Sequence, residues 1–330
     1  MGILKPEKGH FKFSRRLWSD MKFLVLGGAG FMGSHIVDAL VARRHTVRVF
    51  DLPNVSMQNL KKSAGSIEIL GGDFKNENEL SLALNNIDIV VHLIGTTLPR
   101  SSNENPTYDV GTNVIATLRL LDHAVNSGVK KVLFASSGGT VYGIPQSLPI
   151  PETHPTNPLC SYGITKLTIE KYLALYRSLH GLDYTILRLG NPFGERQRIE
   201  NVQGAVAVFL GKIYQNQPIT IWGDGSIARD FFYISDLVSA FIRVIESDTK
   251  TEIFNIASGQ AHSINEILSL IREVTGRDVA LEYTPGRKFD VPANCLDISR
   301  AKTELGWQPQ VSLKEGIRRT WDWLLASKQD

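Results

Sequence analysis

Several features that would place this 330-residue chain in a specialised class are missing from it. Two cysteines, Cys160 and Cys295, are too few for a disulfide framework, and their scarcity points to a reducing, cytoplasmic setting. No apolar run approaches the roughly 18 residues that mark a membrane span, and the N-terminal stretch lacks the apolar centre of a secretory signal. The eight histidines and the cysteines show no metal-ligand spacing, and repeats and low-complexity tracts are absent. Basic charge is scarce where it would matter for nucleic acid. The formal +3 comes from residues 1–20, where Lys5, Lys8, Lys12, Arg15 and Arg16 face only Glu7 and Asp20. Residues 21–330 therefore sum to zero and carry no basic footprint. What is present is apolar: 42% hydrophobic residues over this length supply a large core for one elaborate or two modest domains. Residues 1–20 read as an N-terminal extension. Phe11, Phe13 and Trp18 fall there at no clean period, which fits a flexible arm, a docking segment or translation upstream of a start at Met21 equally well.

From Lys22 the pattern sharpens. KFLVLGG reads as a buried strand, GAGFMGSHIVDALVARRH turns into an amphipathic helix, and TVRVFD is the next strand. The loop between strand and helix carries Gly27, Gly30, Phe31, Met32 and Gly33. Glycine at this spacing permits a tight turn, lets backbone N–H groups approach a diphosphate, and allows close helix–strand contact at the positive end of a helix dipole. Asp51 closes the second strand at about the separation expected of an acid that accepts hydrogen bonds from an adenosine ribose. Leu52, Pro53 and Asn54 bring no cation for a 2′-phosphate, so the site predicts NAD rather than NADP.

Strands and helices then alternate. Strands are expected at 66–70, 88–94, 130–135 and 184–189, and helices at 77–84, 112–126 and 162–180. That beat predicts an α/β fold with a Rossmann-type, doubly wound parallel sheet and right-handed crossovers. Asp51, Asp73 with Phe74, Gly95, Ser136, Ser137 and Asn191 all fall at strand C-termini, where such sheets bind ligands. His92 sits inside an apolar strand and reads as a core residue. After Arg188 the beat weakens: a loop over GNPFGERQ, a helix over 204–213, a strand-and-turn ITIWGDG, then RDFFYISDLVSAFIRVIE and TEIFNIASG. A helix at 264–275, a strand at 279–283 and two short helical segments around Trp307 and Trp321 complete the chain. The expected division is a nucleotide-binding domain over 21–190, rejoined by 228–258, and a smaller mixed α/β substrate lobe over 191–227 and 259–330.

Between the lobes lies FASSGGTVYG, followed by SYGITK. Tyr162 and Lys166 are four residues apart, so on a helix they share a face, about 5–6 Å apart at Cβ. An ammonium beside a phenol favours phenolate and lowers a pKa that is otherwise ~10. The spacing alone is common on helices; it gains meaning from the dinucleotide site upstream.

GGAGFMG, Asp51, SSGGTVYG, Tyr162-x-x-x-Lys166, RLGNPFG, ARDFFYISD and LGWQP occur in this order over residues 21–325. In this combination the chain resembles the extended short-chain dehydrogenase/reductases, and among them the NAD-dependent sugar-nucleotide epimerases and dehydratases. The resemblance implies that Tyr162 acts as base on a sugar hydroxyl while hydride leaves the same carbon, and that Lys166 holds the nicotinamide ribose and tunes Tyr162. It implies that Asn191 reaches the substrate, that Arg229 clamps its diphosphate, and that Arg287 and Asp290 surround the nucleotide ribose and phosphate. It also implies a homodimer joined through the helices beginning near Thr112 and Tyr162.

The chain departs from this family in one loop. The Ser or Thr expected three residues before the Val of VYG is Gly138, which leaves Thr140 or Ser137 to supply the hydroxyl. Gly139 and Thr140 also replace the Asp-Glu of the dehydratases and the Glu of the decarboxylases. What remains is a 4-epimerase acting on a UDP-hexose or UDP-N-acetylhexosamine; a UDP-uronic acid 4-epimerase, a 4,6-dehydratase or a weakly catalytic NAD(H)-binding regulator are the alternatives. Asn294, four residues after Asp290, falls where the family gates the space around the sugar C2 substituent, and its size predicts room for an N-acetyl group.

Overall fold

The computed structural model describes residues 21–199, 204–286 and 291–327. The N-terminal extension and the pair Arg287 and Asp290 lie outside the described residues. Seven strands form the central sheet: β1 (Lys22–Leu26), β2 (Thr46–Asp51), β3 (Ile67–Gly71), β4 (Ile89–His92), β5 (Lys131–Ser137), β6 (Asp183–Leu189) and a later strand, Ile253–Ile256. All pairings in it are parallel. Parallel sheets are covered on both faces, which is why β1, β4 and β5 are runs of apolar residues rather than alternations. The two faces feed different core layers: Phe23 and Val25 point into one, Leu24 and Leu26 into the other.

Strand order reverses beside β1, with β2 and β3 on one side and β4, β5 and β6 on the other. Helix α1 (Phe31–Ala42) leaves β1, and α2 (Glu77–Leu84) spans the residues expected from the sequence. Asn76 starts α2 by accepting from the N–H groups of Asn78 and Glu79. At the strand-order reversal the carboxyl ends of β1, β4 and β5 open into a crevice, the usual ligand site of such sheets.

The helix expected over 112–126 is longer and irregular. Pro99 and Pro106 start two short helices, α3 (Pro99–Glu104) and α4 (Pro106–Asp109), a π-helical turn covers Val110–Ile115, and α5 (Ala116–Asn126) follows. The wide turn swings Thr112 and Asn113 toward the end of β4: the Asn113 side chain accepts from Thr96 N at 3.1 Å, and the Thr112 and Thr96 hydroxyls meet at 2.5 Å. An added residue in the turn breaks the 3.6-residue period, so periodicity could not reveal it. Helix α6 (Ser161–His180) carries Tyr162 and Lys166 and closes on Gly181 in the left-handed region.

The second half also departs from expectation. GNPFGERQ is not all loop, because β7 (Asn191–Phe193) is a short strand. After α7 (Ala205–Tyr214) and β8 (Ile219–Trp222), β9 (Ala228–Tyr233) pairs with β7 and with β11 (Ala261–Ser263) in a separate three-stranded sheet. Within 228–258, it is therefore β10 (Ile253–Ile256) that pairs with β6 of the central sheet. Helix α8 (Ile234–Glu246) packs its apolar face into the same core as α1. Helix α9 (Ile264–Thr275) has a capping box from Ser263 and Glu266, and β12 (Leu281–Thr284) pairs with β8. Of the last two helices, α10 (Ser299–Leu305) and α11 (Leu313–Ser327), the second is not short: 15 residues bury Ile317, Trp321 and Leu324.

Candidate active site

The glycine loop comes first. A Cβ at Gly33 would lie 2.2 Å from Gly27 O, so only glycine lets α1 start this close to the loop. No side chain caps the start of α1, which leaves the N–H groups of Phe31 and Met32 in an uncapped first turn. Asp51 faces the loop: its Oδ2 accepts from Ala29 N at 3.0 Å and its Oδ1 from Leu52 N at 2.9 Å. Burial pushes the Asp51 carboxyl up, and these two N–H groups, with the more distant Arg198, hold it back. Backbone donors at a helix start with a carboxylate at the next strand end fit a dinucleotide diphosphate and ribose. Arg198 was invisible in the sequence pattern, because it arrives from the loop after β7.

Asp73 and Phe74 separate on inspection. Asp73 remains at the strand edge, paired with Lys75 at 3.2 Å. The Phe74 ring is buried against His92 at 5.2 Å between centroids, so the side chain belongs to the core. His92 is indeed a core residue: Nε2 pairs with Thr117 Oγ1 at 3.0 Å, and burial lowers its pKa to about 3. Gly95 is open to the cleft, and a Cβ there would lie 3.9 Å from Lys166 Nζ.

Helix α6 is fastened at two levels. Near its start, fully buried Asp109 accepts from Ser161 Oγ at 2.7 Å, Thr97 Oγ1 at 2.5 Å and Asn113 Nδ2 at 2.8 Å. A turn beyond Lys166, Glu170 forms a buried ion pair with Arg188 of β6 at 2.6 Å and accepts from Ser136 Oγ at 2.6 Å. Arg188 Nη1 also donates to Tyr142 OH, which donates to Asn255. Sequence reading missed Asp109, Asn113, Glu170 and Arg188. Glu170 had a signal, since it extends the Tyr162–Lys166 spacing by another four residues; the others lie on different elements and had none. Ser136, expected at the cofactor, donates its hydroxyl to the buried Glu170 carboxylate.

Lys166 donates to Ala135 O at 2.9 Å and lies over Phe134, 4.7 Å from the ring centroid. Its Nζ is 5.7 Å from the centroid of the Tyr162 ring. The expected depression of the tyrosine pKa is absent in the protein by itself. Burial, with Cys160 and Asp109 nearby, pushes Tyr162 up to about 12, while burial lowers Lys166 to about 8 against the pull of Asp109 and Glu170. Burial disfavours both charges, and one N–H of the lysine is engaged by a carbonyl.

Across the cleft, Ser137 Oγ and Asn191 Oδ1 converge on Gly139, 3.8 and 4.0 Å from where its Cβ would sit. Asn294 is buried and donates from Nδ2 to Gly138 O at 3.1 Å. Seven buried side-chain atoms have no hydrogen-bond partner among the described residues, and two of them, Thr140 Oγ1 and Asn294 Oδ1, belong to this group. Arg229 Nη1 donates to Ala228 O and Val291 O, which directs it along the segment leading to Asn294. Asp230 points the other way and accepts from the N–H groups of Ser258, Gly259 and Leu296; burial raises it to about 6 against those donors.

Residues 23–257 match the family described as NAD dependent epimerase/dehydratase. A putative UDP-glucose 4-epimerase of Methanocaldococcus jannaschii is 38% identical over 302 residues, 91% of this chain and 97% of that protein. The crystal structure of a UDP-glucose 4-epimerase from Thermotoga maritima with UDP-glucose superposes with a TM-score of 0.88 at 36% identity, covering 93% of this chain and all of that one (100%). A UDP-N-acetylglucosamine 4-epimerase from Methanobrevibacter ruminantium gives a TM-score of 0.87 at 31% identity over 94% and 99% of the two chains. The chain belongs to the NAD dependent epimerase/dehydratase family and is an NAD-dependent enzyme of the 4-epimerase type.

Proposed function

We propose that the protein inverts C4 of a UDP-hexose or UDP-N-acetylhexosamine by transient oxidation at that carbon. The observation that carries this reading is the loop beside α6 and its neighbours: Ser137, Gly138, Gly139, Thr140, Asn191 and Asn294 offer hydroxyls and amides but no carboxylate. Expelling water from the sugar calls for a second acid and base beside the tyrosine. A neutral lining supports redox chemistry at one carbon and nothing more.

The glycine loop, Asp51 and Lys166 would hold NAD. When bound, NAD supplies the hydride acceptor and donor and, oxidised, a positive charge beside the phenol. Tyr162 takes the proton of the sugar hydroxyl and later returns it. Lys166, kept in line by Ala135 O, adds cationic charge to favour phenolate. Ser137 or Thr140 stands in for a hydroxyl at Gly138. Asn191 orients the sugar and Arg229 the diphosphate, where a planar donor fork suits phosphate oxygens. Arg287 and Asp290 take the nucleotide. A second copy of the chain is the expected partner: Ile164, Leu175 and Leu179 form an exposed apolar stripe along α6, and Val110 and Ile115 add to it.

The test is purified protein with a panel of UDP-, GDP- and dTDP-sugars, the products separated by stereochemistry. Reversible interconversion at C4 without net NADH is the expected result. A 4-keto-6-deoxy product, net NADH consumption with a 4-keto sugar, or bound NAD without turnover would each overturn it.

A further inference from the structure

Resting on the epimerase reading, we propose that Thr140 is the catalytic hydroxyl, bridging the reacting sugar hydroxyl and Tyr162, and that Leu296 is the residue that moves this role away from position 138. Gly138 is glycine because its side-chain volume is taken. A Cβ there would lie 2.4 Å from Leu296 Cδ1, 3.1 Å from Cδ2 and 3.3 Å from Arg188 O. Leu296 has nowhere to retreat. It is fully buried among Val141, Tyr142, Ile150 and Ala257. Its backbone is pinned as well: Leu296 N donates to Asp230 Oδ2 at 3.1 Å, Ile150 N to Cys295 O at 2.8 Å, and Asp297 N to Ile150 O at 2.9 Å. A serine or threonine at 138 would have to displace a core leucine held on both sides.

Three other hydroxyls lie in the loop. Ser136 is engaged by Glu170. Ser137 is half-buried and reaches toward Gly139 and Asn191, where water can serve it. Thr140 differs from both, because its Oγ1 is buried and has no partner among the described residues. Folded proteins seldom leave such a group unpaired unless a water, an ion or a ligand completes it, and Thr140 is the unpaired hydroxyl of this loop. Thr140 is also locked in register with the base: its carbonyl lies 2.9 Å from where a Cβ of Gly163 would be, and Gly163 follows Tyr162. Asn294 repeats the pattern against the same loop from the segment after Val291, with Nδ2 spent on Gly138 O and Oδ1 left as a buried acceptor for a second sugar hydroxyl.

The experiment is a mutant cycle on the NAD-loaded enzyme, read as kcat, KM, pH profile and thermal midpoint. Thr140→Val should lower kcat for C4 interconversion at least about 100-fold, the scale of a lost proton relay. KM should stay within about threefold and the pH–rate profile should shift, whereas Thr140→Ser keeps near-parental kcat. Gly138→Ser alone should lower the thermal midpoint, and Leu296→Ala in the same chain should restore it. In the Gly138→Ser/Leu296→Ala background the new hydroxyl takes over, so Thr140→Val should cost less than about tenfold. Parental kcat in Thr140→Val, or the full loss in both backgrounds, overturns the relay. An unchanged midpoint in Gly138→Ser overturns the exclusion by Leu296. If the parent itself does not interconvert C4 epimers, the epimerase reading and the relay fall together, and the midpoints still judge the Gly138–Leu296 pair.

Discussion

The two walls of the cleft are built on opposite principles. On the α6 wall the buried charges are engaged within the protein: Asp109 takes four side-chain donors, Glu170 takes Arg188 and Ser136, and Lys166 rests on Ala135 O. On the loop wall, which meets the first turn of α6 at Gly163, Thr140 Oγ1 and Asn294 Oδ1 are among the buried atoms with no partner among the described residues. A group that must be in place before the substrate arrives is worth fixing by its own protein. A group that reads the substrate has to keep its hydrogen-bonding capacity for it. The contrast separates groups fixed in advance from groups left open: the α6 wall engages its charges within the protein, and the loop wall keeps unpaired hydrogen-bonding atoms.

The contrast is attacked hardest at the base itself. Tyr162→Phe should cut turnover by roughly 10²–10⁴-fold, the range for a lost acid–base group. Cofactor measured after denaturing the purified variant should be unchanged, because the fold around the glycine loop does not use the phenol. Loss of cofactor together with activity would mean that Tyr162 is part of the scaffold.

Next in size is the fastening of α6. Glu170→Gln leaves Arg188 buried without its counter-charge, and breaking a buried pair from one side costs about 3–5 kcal/mol. Urea denaturation should show a loss of that order. Replacing both Glu170 and Arg188 by apolar residues of similar volume should cost much less than the two single changes together. A loss below about 1 kcal/mol for Glu170→Gln would place the pair with surface ion pairs and erase the difference between the walls.

What the sequence disclosed follows the same division. The central sheet was legible because strands buried on both faces are unbroken apolar runs, and the glycine loop because only glycine tolerates its contacts. Tyr162 and Lys166 were legible as a spacing. The supports of that pair were not, since Asp109, Ser136 and Arg188 reach α6 from three other elements. The π turn at Val110–Ile115 hid for a related reason, as a widened turn erases the period by which helices are read. Gly138 was visible as a departure, but its cause, Leu296, lies far along the chain and is apparent only from packing. The opposite protonation tendencies of Tyr162 and Lys166 also needed burial, which spacing does not report.

The loop wall is probed by size. Asn294→Tyr places a ring where a small carboxamide now spans to Gly138 O. It should lower kcat/KM for UDP-N-acetylglucosamine relative to UDP-glucose by roughly 10–200-fold, as a pocket contact of about 1–3 kcal/mol does. Equal handling of both sugars by the variant would show that the C2 substituent lies elsewhere.

The smallest effect concerns what the α6 wall gives up for its base. Burial lowers Lys166 to about 8, against the raising influence of Asp109 and Glu170, while in the unfolded chain a lysine titrates near ~10.4. Below pH 8 both states hold the proton, and the folded state bears the whole cost of a buried cation. Between about 8 and 10.4 the folded state releases the proton while the unfolded state keeps it, so the unfolded state binds more protons and stability gains as pH rises. Lys166→Met in NAD-free protein should therefore be more stable than the parent at pH 7, by on the order of 1 kcal/mol, and its lead should shrink from pH 8 to 10. The neighbouring groups are common to parent and variant, so their own titration cancels from the lead; that includes Cys160, whose thiol burial raises and which therefore opposes the trend in both proteins. His92, lowered to about 3, is neutral throughout it, and Tyr162, raised to about 12, begins to oppose the trend only above pH 10, where an unfolded tyrosine ionises. A lead that stays level from pH 7 to 10 would mean that Lys166 remains charged there, that Asp109 and Glu170 offset the cost of its burial, and that the lead comes from apolar packing of the methionine. The wall would then be a balanced ion network, not one strained to hold a base.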